Sequence, residues 1–213
     1  MLERIIESYQ NEVFTGMENA RKYAEESEKS SKMRFRGFLK KIDKLNIKGN
    51  YLEIGAGSGT LAAMIAKRNK DIDITAIEIS ADMITVANEY IKKESVETQI
   101  SFIEGNIEDD ELSGNLGKFD LVYSTFSLHH WKNPEKAIKK ILQYVKEDGV
   151  LLIYDLKRVW WLYWIKKDNG FYKSIRASYQ PNEIRNILNI IDVKKYEISN
   201  IFPYFMQNIT IWK

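Results

Sequence analysis

The chain contains only two histidines, His129 and His130, which lie side by side in the segment STFSLHHW. An imidazole has a pKa near neutrality, so either side chain could act as a general base, with His129 the first candidate. The side chains of adjacent residues diverge, so the pair is poorly arranged to chelate one metal ion. The alternative is structural: one histidine bonds to the backbone or caps the following helix while the other packs within the loop.

A second candidate for chemistry is the glycine loop in the segment LEIGAGSGT, which contains Gly55, Gly57 and Gly59. Glycines between a strand and a helix permit a sharp turn and let backbone N–H groups approach a ligand closely. The G-x-G-x-G spacing differs from the G-x-G-x-x-G of dinucleotide-binding loops. Glu53 lies two residues before the loop, where a carboxylate would repel a pyrophosphate and suits a cationic ligand group. An NAD-type oxidoreductase is therefore the less favoured alternative.

Glu78 ends the second predicted strand, 23 residues after Gly55. A carboxylate at this position can accept hydrogen bonds from both ribose hydroxyls of a nucleoside, or it can simply face water. Met83 follows in the next predicted helix, where its thioether can pack on an adenine face or belong to the core. Asp155, at the end of the fifth predicted strand, is a further acidic candidate near the same site.

These residues lie on strands that alternate with helices from residue 50 onward. The predicted strands are YLEI, DITAIEI, QISFIEG, FDLVYS and GVLLIYDL, followed late in the chain by VKKYEIS and FMQNITIW. The alternation predicts a mostly parallel seven-stranded sheet with helices on both faces. The connection within the last pair is too short for a helical crossover, so that pair is predicted to be antiparallel. Ligands of such sheets bind at the carboxyl ends of the strands, where the glycine loop meets STFSLHHW.

The chain divides by pattern into a helical cap at residues 1–49 and a ligand-binding domain at residues 50–213. Within the cap, apolar residues recur at helical spacing near both ends, and the polar segment ENARKYAEESEKSSK between them is predicted to be mobile. An aromatic insert at about residues 156–180 contains RVWWLYWIKK. Three interpretations of the insert are open: a cover over a substrate pocket, a structural or dimer-forming helix, and a membrane-interface segment.

Composition excludes several classes of function. The 32 basic and 30 acidic residues are interspersed and give a formal charge of +2, which predicts no nucleic-acid partner. The absence of cysteine excludes disulfides and thiolate metal sites, and no metal is expected. No run approaches the ~20 apolar residues of a membrane span, and the first residues do not resemble a signal peptide. The expectation is a cytoplasmic protein, and the sequence does not set its oligomeric state.

The order of the motifs LEIGAGSGT, AIEISADMI, FIEGNIEDD, FDLVYSTFSLHHW and GVLLIYDL resembles that of class I S-adenosylmethionine-dependent methyltransferases. The ubiquinone/menaquinone-type small-molecule enzymes, which often carry an S-x-x-LHHW loop after strand four, are the most similar pattern. The resemblance covers residues 50–212 and implies an α/β, Rossmann-like fold. It also implies methyl transfer from S-adenosylmethionine to a small, hydrophobic or aromatic acceptor by SN2 displacement. A non-catalytic, methyltransferase-like binding module is a further alternative.

The resemblance also implies which residues contact the cofactor. Glu53 would face the methionine amino group, and Glu78 would hold the ribose. Ile79 and Met83 would enclose the adenine. Asn106 stands where the family commonly has Asp, and its carbonyl oxygen would accept from the adenine amine. The remaining implied cofactor-binding positions are Gly55, Ala56, Gly57, Gly59, Ile107 and Ser124.

Overall fold

The computed structural model describes residues 2–5, 16–109, 112, 116–165 and 169–213. Within these residues one seven-stranded sheet has the order β3-β2-β1-β4-β5-β7-β6. Its strands are β1 (Gly49–Ile54), β2 (Ile72–Glu78), β3 (Ile100–Glu104), β4 (Phe119–Thr125), β5 (Val145–Leu156), β6 (Tyr196–Ile201) and β7 (Met206–Trp212).

The sheet is parallel except at β7. Strands β1 to β5 pair in parallel with their neighbours, whereas β7 runs antiparallel to both β5 and β6. The tight connection between β6 and β7 accounts for this, because it leaves no length for a crossover. The predicted fold class, a mostly parallel seven-stranded sheet with an antiparallel C-terminal pair, is confirmed.

Eight α-helices flank the sheet in the described part of the chain. They are α1 (Met17–Arg34), α2 (Arg36–Leu45), α3 (Thr60–Arg68), α4 (Ala81–Lys93), α5 (Pro134–Tyr144), α6 (Trp160–Tyr163), α7 (Gly170–Ala177) and α8 (Pro181–Ile190). Side chains cap the N-termini of helices α4 and α5. Ser80 accepts from the N–H of Met83 at the start of α4, and Asn133 accepts from the N–H of Lys136 at the start of α5. None of the described helices combines the length and apolar character needed to cross a membrane.

Two cores lie on opposite faces of the sheet, because successive residues of a strand point to opposite faces. Tyr51 of β1 packs into the core beneath α2 and α3. Its neighbours Leu52 and Ile54 pack into the core beneath α5 and α8. The carboxyl ends of β1, β2 and β4 therefore stand between two packed layers, and the side chains that follow them are held in fixed positions.

The polar segment predicted to be mobile lies within α1, which is helical throughout. Two exposed ion pairs join it to α4, from Arg21 to Glu89 at 2.6 Å and from Lys93 to Glu28 at 3.0 Å. Ala20, which is fully buried, adds an apolar contact. Of the first apolar stripe, residues 6–15 lie outside the described residues.

The aromatic insert forms two short helices, α6 and α7. The indoles of Trp160 and Trp164 are 71% and 68% exposed, while Trp161 packs its edge on Phe205 at 6.1 Å. The exposed indoles of Trp160 and Trp164 leave the three interpretations of the insert open. Only α7 contributes to the site described below.

Candidate active site

A cavity of about 210 Å³ opens at the carboxyl ends of β1, β2 and β4. Its floor is the glycine loop that follows β1, and its roof includes Tyr23 and Ser27 of α1. Helix α1 therefore lies over a cavity built on the sheet and packs against α3 and α4.

The glycine loop is shaped by backbone conformations that L side chains rarely adopt. Gly55 has φ of 76°, and a Cβ there would lie 2.5 Å from the hydroxyl of Ser127. Gly59 has φ of 69°, and its Cβ would press on Phe102 and Ala87 at 3.0 and 3.1 Å. Gly55 thus lines the cavity, whereas Gly59 lies behind it and permits close packing of α3 against its neighbours.

Glu78 connects the end of β2 to the glycine loop. Its Oε2 accepts the N–H of Gly57 at 2.7 Å, and its Oε1 accepts the N–H of Ser80 at 3.1 Å. Burial raises the pKa of Glu78, and these backbone donors act in the opposite direction. Each carboxylate oxygen can accept a second hydrogen bond, so the group still has capacity for ligand hydroxyls.

Glu53 is almost wholly buried on the cavity wall, at 1% exposure. Burial raises the pKa of Glu53 to about 8; the Tyr123 hydroxyl lowers it, while the charge on Glu78 raises it further. Its Oε2 has no hydrogen-bond partner within the described residues. A buried carboxyl with an unused oxygen costs free energy that a cationic ligand group at that oxygen would offset.

Most of the implied cofactor positions meet at this cavity, and two do not. Ser124 is fully buried beneath it and donates to the carbonyl of Ile54 at 2.9 Å, so its hydroxyl is used within the sheet. Gly59 is the other. Asn106 is on the wall, where its Oδ1 accepts from the N–H of Glu108 at 2.9 Å. The implied positions that line the cavity are Glu53, Gly55, Ala56, Gly57, Glu78, Ile79, Met83, Asn106 and Ile107.

A second, larger cavity of about 1240 Å³ lies beside the first. Tyr23, Arg34, Phe126 and His130 line both cavities and form their boundary. The walls of the larger one come from distant parts of the chain: α1, α2 and α7, the end of β5, and the turn between β6 and β7. The sequence could not predict this cavity, because its wall segments are far apart in the chain and no local pattern of residues indicates that they meet.

Phe126 was missed by the sequence reasoning. It has φ of 56°, a left-handed conformation that is costly for a bulky residue, and its N–H donates to the carbonyl of Tyr154 at 2.9 Å. Its ring packs edge-on against Tyr154 at 5.5 Å. The arrangement places an aromatic ring at the boundary between the cavities, and strain of this kind clusters at functional sites.

The structure separates the two histidines. His129 is 3% exposed, and its Nδ1 lies 2.7 Å from Oδ1 of Asp155. A carboxylate only accepts, so Nδ1 carries a hydrogen, and Nε2 is buried and without a hydrogen-bond partner in the described part of the chain. His130 packs its ring on that of His129 at 3.9 Å and faces both cavities. No set of three His, Cys, Asp or Glu side chains among the described residues is placed to hold a metal ion.

Comparison with known proteins agrees with this geometry. Residues 52–151 match the family model described as a methyltransferase domain. The ubiquinone/menaquinone biosynthesis C-methyltransferase of Rhizobium meliloti is 28% identical over 109 residues, covering 51% of this chain and 42% of that protein. The ubiquinone biosynthesis O-methyltransferase of Rickettsia canadensis is 25% identical over 179 residues, covering 78% and 70%. The chain spans less than half the length of several curated relatives that it matches.

A solved structure extends the likeness to the whole fold. The S-adenosylmethionine-dependent methyltransferase of Aquifex aeolicus superposes with a TM-score of 0.71 at 16% identity, covering 93% of this chain and 98% of that one. The match in sequence, the shared fold and the cavity beside the glycine loop point to one family. The chain is similar to S-adenosylmethionine-dependent methyltransferases, and among the named relatives it resembles the ubiquinone-type enzymes.

Proposed function

We propose that the protein transfers the methyl group of S-adenosylmethionine to a small, hydrophobic or aromatic acceptor held in the larger cavity. One observation carries the proposal: the cavity beside the glycine loop and the larger cavity share a boundary at Phe126 and His130. SN2 displacement needs the acceptor atom in line with the sulfur–methyl bond. A donor site and an acceptor site that meet at one boundary suit that requirement.

The smaller cavity fits the cofactor by its chemistry. The unused Oε2 of Glu53 suits the ammonium group of the methionine part, and the Glu78 carboxylate suits the ribose hydroxyls. Ile79 and Met83 provide apolar surface for the adenine. Residues 1–49 act in this proposal as a cap on residues 50–213, because Tyr23 of α1 lies on the walls of both cavities.

The larger cavity supplies alignment and exclusion of water. Its inner wall contains Tyr154, Leu156 and Met206, all buried. The sulfonium of the cofactor already makes the methyl group electrophilic, so the protein contributes mainly by holding the acceptor close to it. An apolar wall also removes the hydration shell of the attacking atom.

His130 is the proposed general base for a hydroxyl acceptor, because it faces the boundary that the methyl group must cross. As the new oxygen–carbon bond forms and the sulfur–carbon bond breaks, the hydroxyl proton passes to His130. S-adenosylhomocysteine is the other product. His129, fixed by Asp155, is the proposed positioning residue that supports the His130 ring.

The proposal is tested by incubating the protein with S-adenosylmethionine and a panel of phenols and quinols, with S-adenosylhomocysteine measured by mass spectrometry. Formation of S-adenosylhomocysteine that depends on one of these acceptors supports it. Tight binding of the cofactor without any conversion across the panel would favour a non-catalytic binding module. Tighter binding of NAD than of S-adenosylmethionine would overturn the cofactor assignment.

A further inference from the structure

The charged residues that line the larger cavity are all basic. They are Arg34, Arg36, Lys40 and Lys173, and no Asp or Glu stands beside them among the described lining residues. The whole chain is nearly balanced, with 32 basic and 30 acidic residues. The cavity is therefore a local region of positive potential in a protein whose net charge is close to zero.

Two of these cations have no counter-charge among the described residues. Arg36 and Lys40 form no ion pair or hydrogen bond in the described part of the chain. The next residue of α2 behaves differently, since Lys41 lies 3.1 Å from the carboxylate of Glu197. Arg34 already has a partner, because its guanidinium lies 4.5 Å from the centre of the Phe126 ring, at the boundary with the cofactor cavity. The positive charge at Arg36 and Lys40 is thus available to a ligand.

Two helix N-termini add to this charge. Helix α2 begins at Arg36 and α7 begins at Gly170, and the first residues of both helices line the cavity. The N-terminus of a helix carries a partial positive charge and favours an anion near its first turn. The C-terminus of α1, which also lies on this wall, carries the opposite partial charge, so the basic side chains set the sign of the ligand charge.

Most of the remaining lining of the cavity is apolar. Phe126, Leu156, Phe205 and Met206 form wall near the boundary and deeper in, and the side chain of Phe202, 80% exposed, stands at the rim. A purely hydrophobic ligand would leave the basic residues without an anionic partner. A small polar anion would leave the apolar wall in contact with water. A ligand with an apolar body and one anionic group satisfies both surfaces.

We infer that the methyl acceptor is an amphipathic anion, with its apolar body against Phe126 and His130 and a carboxylate or phosphate group near Arg36 and Lys40. This inference rests on the proposed function, because it takes the larger cavity as the acceptor site. It narrows the acceptor from any small hydrophobic compound to one that carries a negative charge remote from the methylated atom.

The test is a comparison of octanoate, octyl phosphate and octan-1-ol, titrated by calorimetry into protein saturated with S-adenosylhomocysteine. We expect both anions to bind more tightly than the alcohol. The double variant Arg36→Gln/Lys40→Gln should weaken the binding of both anions by about 2- to 30-fold, which is the effect expected from the loss of two exposed charge pairs. The affinity for the alcohol should not change. The matched control Lys32→Gln/Lys44→Gln makes the same change in net charge on α1 and α2 but away from the cavity wall.

Tighter binding of octanoate assigns a carboxylate and tighter binding of octyl phosphate assigns a phosphate. Equal affinity for alcohol and anions in the wild type would overturn the inference, and so would an equal loss in the two double variants. The readout is binding, so it is separate from turnover. Preferential binding of anions without any methyl transfer would contradict the proposed function but not this inference. Methyl transfer without a preference for anions would contradict this inference but not the proposed function.

Discussion

Asp155 holds His129 through both of its carboxylate oxygens. Oδ1 lies 2.7 Å from Nδ1 of the ring, and Oδ2 accepts the backbone N–H of His129 at 2.9 Å. The pair is almost fully buried, so the ring has one orientation. The ring of His130 packs on it and faces the boundary between the two cavities. Adjacent residues of the same type are therefore expected to have different roles.

We expect His130→Gln to lower kcat for a hydroxyl acceptor by about 10²- to 10⁴-fold, the usual contribution of a positioned proton transfer. The pH–rate profile should lose its limb near the histidine pKa, and the free energy of unfolding should stay near the wild-type value. Affinity for S-adenosylhomocysteine should change far less than kcat. A wild-type rate and an unchanged pH profile would remove His130 as the base.

His129→Ala should act mainly on stability. The substitution removes the ring donor to Asp155 Oδ1, which keeps only the N–H of Leu156 at 2.7 Å. We expect a loss of about 1–3 kcal/mol in the free energy of unfolding, measured with urea, because a buried acceptor loses its partner. The histidine limb of the pH–rate profile should persist. A stable variant that loses this limb would instead make His129 the base.

Glu78→Ala should weaken S-adenosylhomocysteine binding by about 1–3 kcal/mol, the scale of lost hydrogen bonds to a charged group. The loss includes the support that Glu78 gives to Gly57. Glu104 is the matched control, because it lies opposite Glu78 in the register of β2 and β3 and is exposed outside the cavity. Calorimetry that shows equal affinities for both alanine variants would contradict the ribose assignment.

Glu53 predicts a dependence of stability on pH. Burial raises its pKa from the ordinary value of 4.5 to about 8, so the folded protein keeps a proton that the unfolded chain has lost between these values. The stability that this carboxyl contributes is fully present below about pH 4.5 and falls as the pH rises toward about 8. We expect Glu53→Gln to flatten this fall in the free energy of unfolding. Parallel pH curves for the two proteins would contradict the shift.

Cofactor binding should also release the proton of Glu53 near neutral pH, because an ammonium group favours the carboxylate. Calorimetric titrations of S-adenosylhomocysteine in two buffers of different ionisation enthalpy measure this release. We expect the wild type to show it and Glu53→Gln to lack it. Identical proton release in both proteins would place the methionine amino group elsewhere.

The sequence predicted those parts of the site that depend on local order. The strand ends, the glycine loop and Glu78 follow from alternation and spacing within a few residues. The polar segment of α1 was predicted to be mobile, and its contacts with Glu89 and Lys93 of α4 lie beyond what a local pattern can reveal. The larger cavity and the left-handed Phe126 depend on segments far apart in the chain.

The cap gives a prediction for hydrogen exchange. Helix α1 places Tyr23 and Ser27 on the cofactor cavity, so S-adenosylhomocysteine should slow amide exchange within Met17–Arg34. Helix α6 lines neither of the two cavities and serves as the internal control. Equal changes in α1 and α6, or none in either, would show that the cap does not respond to the cofactor.

The central claim is that the methyl donor and the acceptor occupy two cavities that meet at Phe126 and His130. A crystal structure with S-adenosylhomocysteine tests it most directly. We expect adenine between Ile79 and Met83, the amino group at Glu53, and the sulfur at the opening into the larger cavity. A sulfur atom that points away from that opening, or S-adenosylhomocysteine bound within the larger cavity, would contradict it.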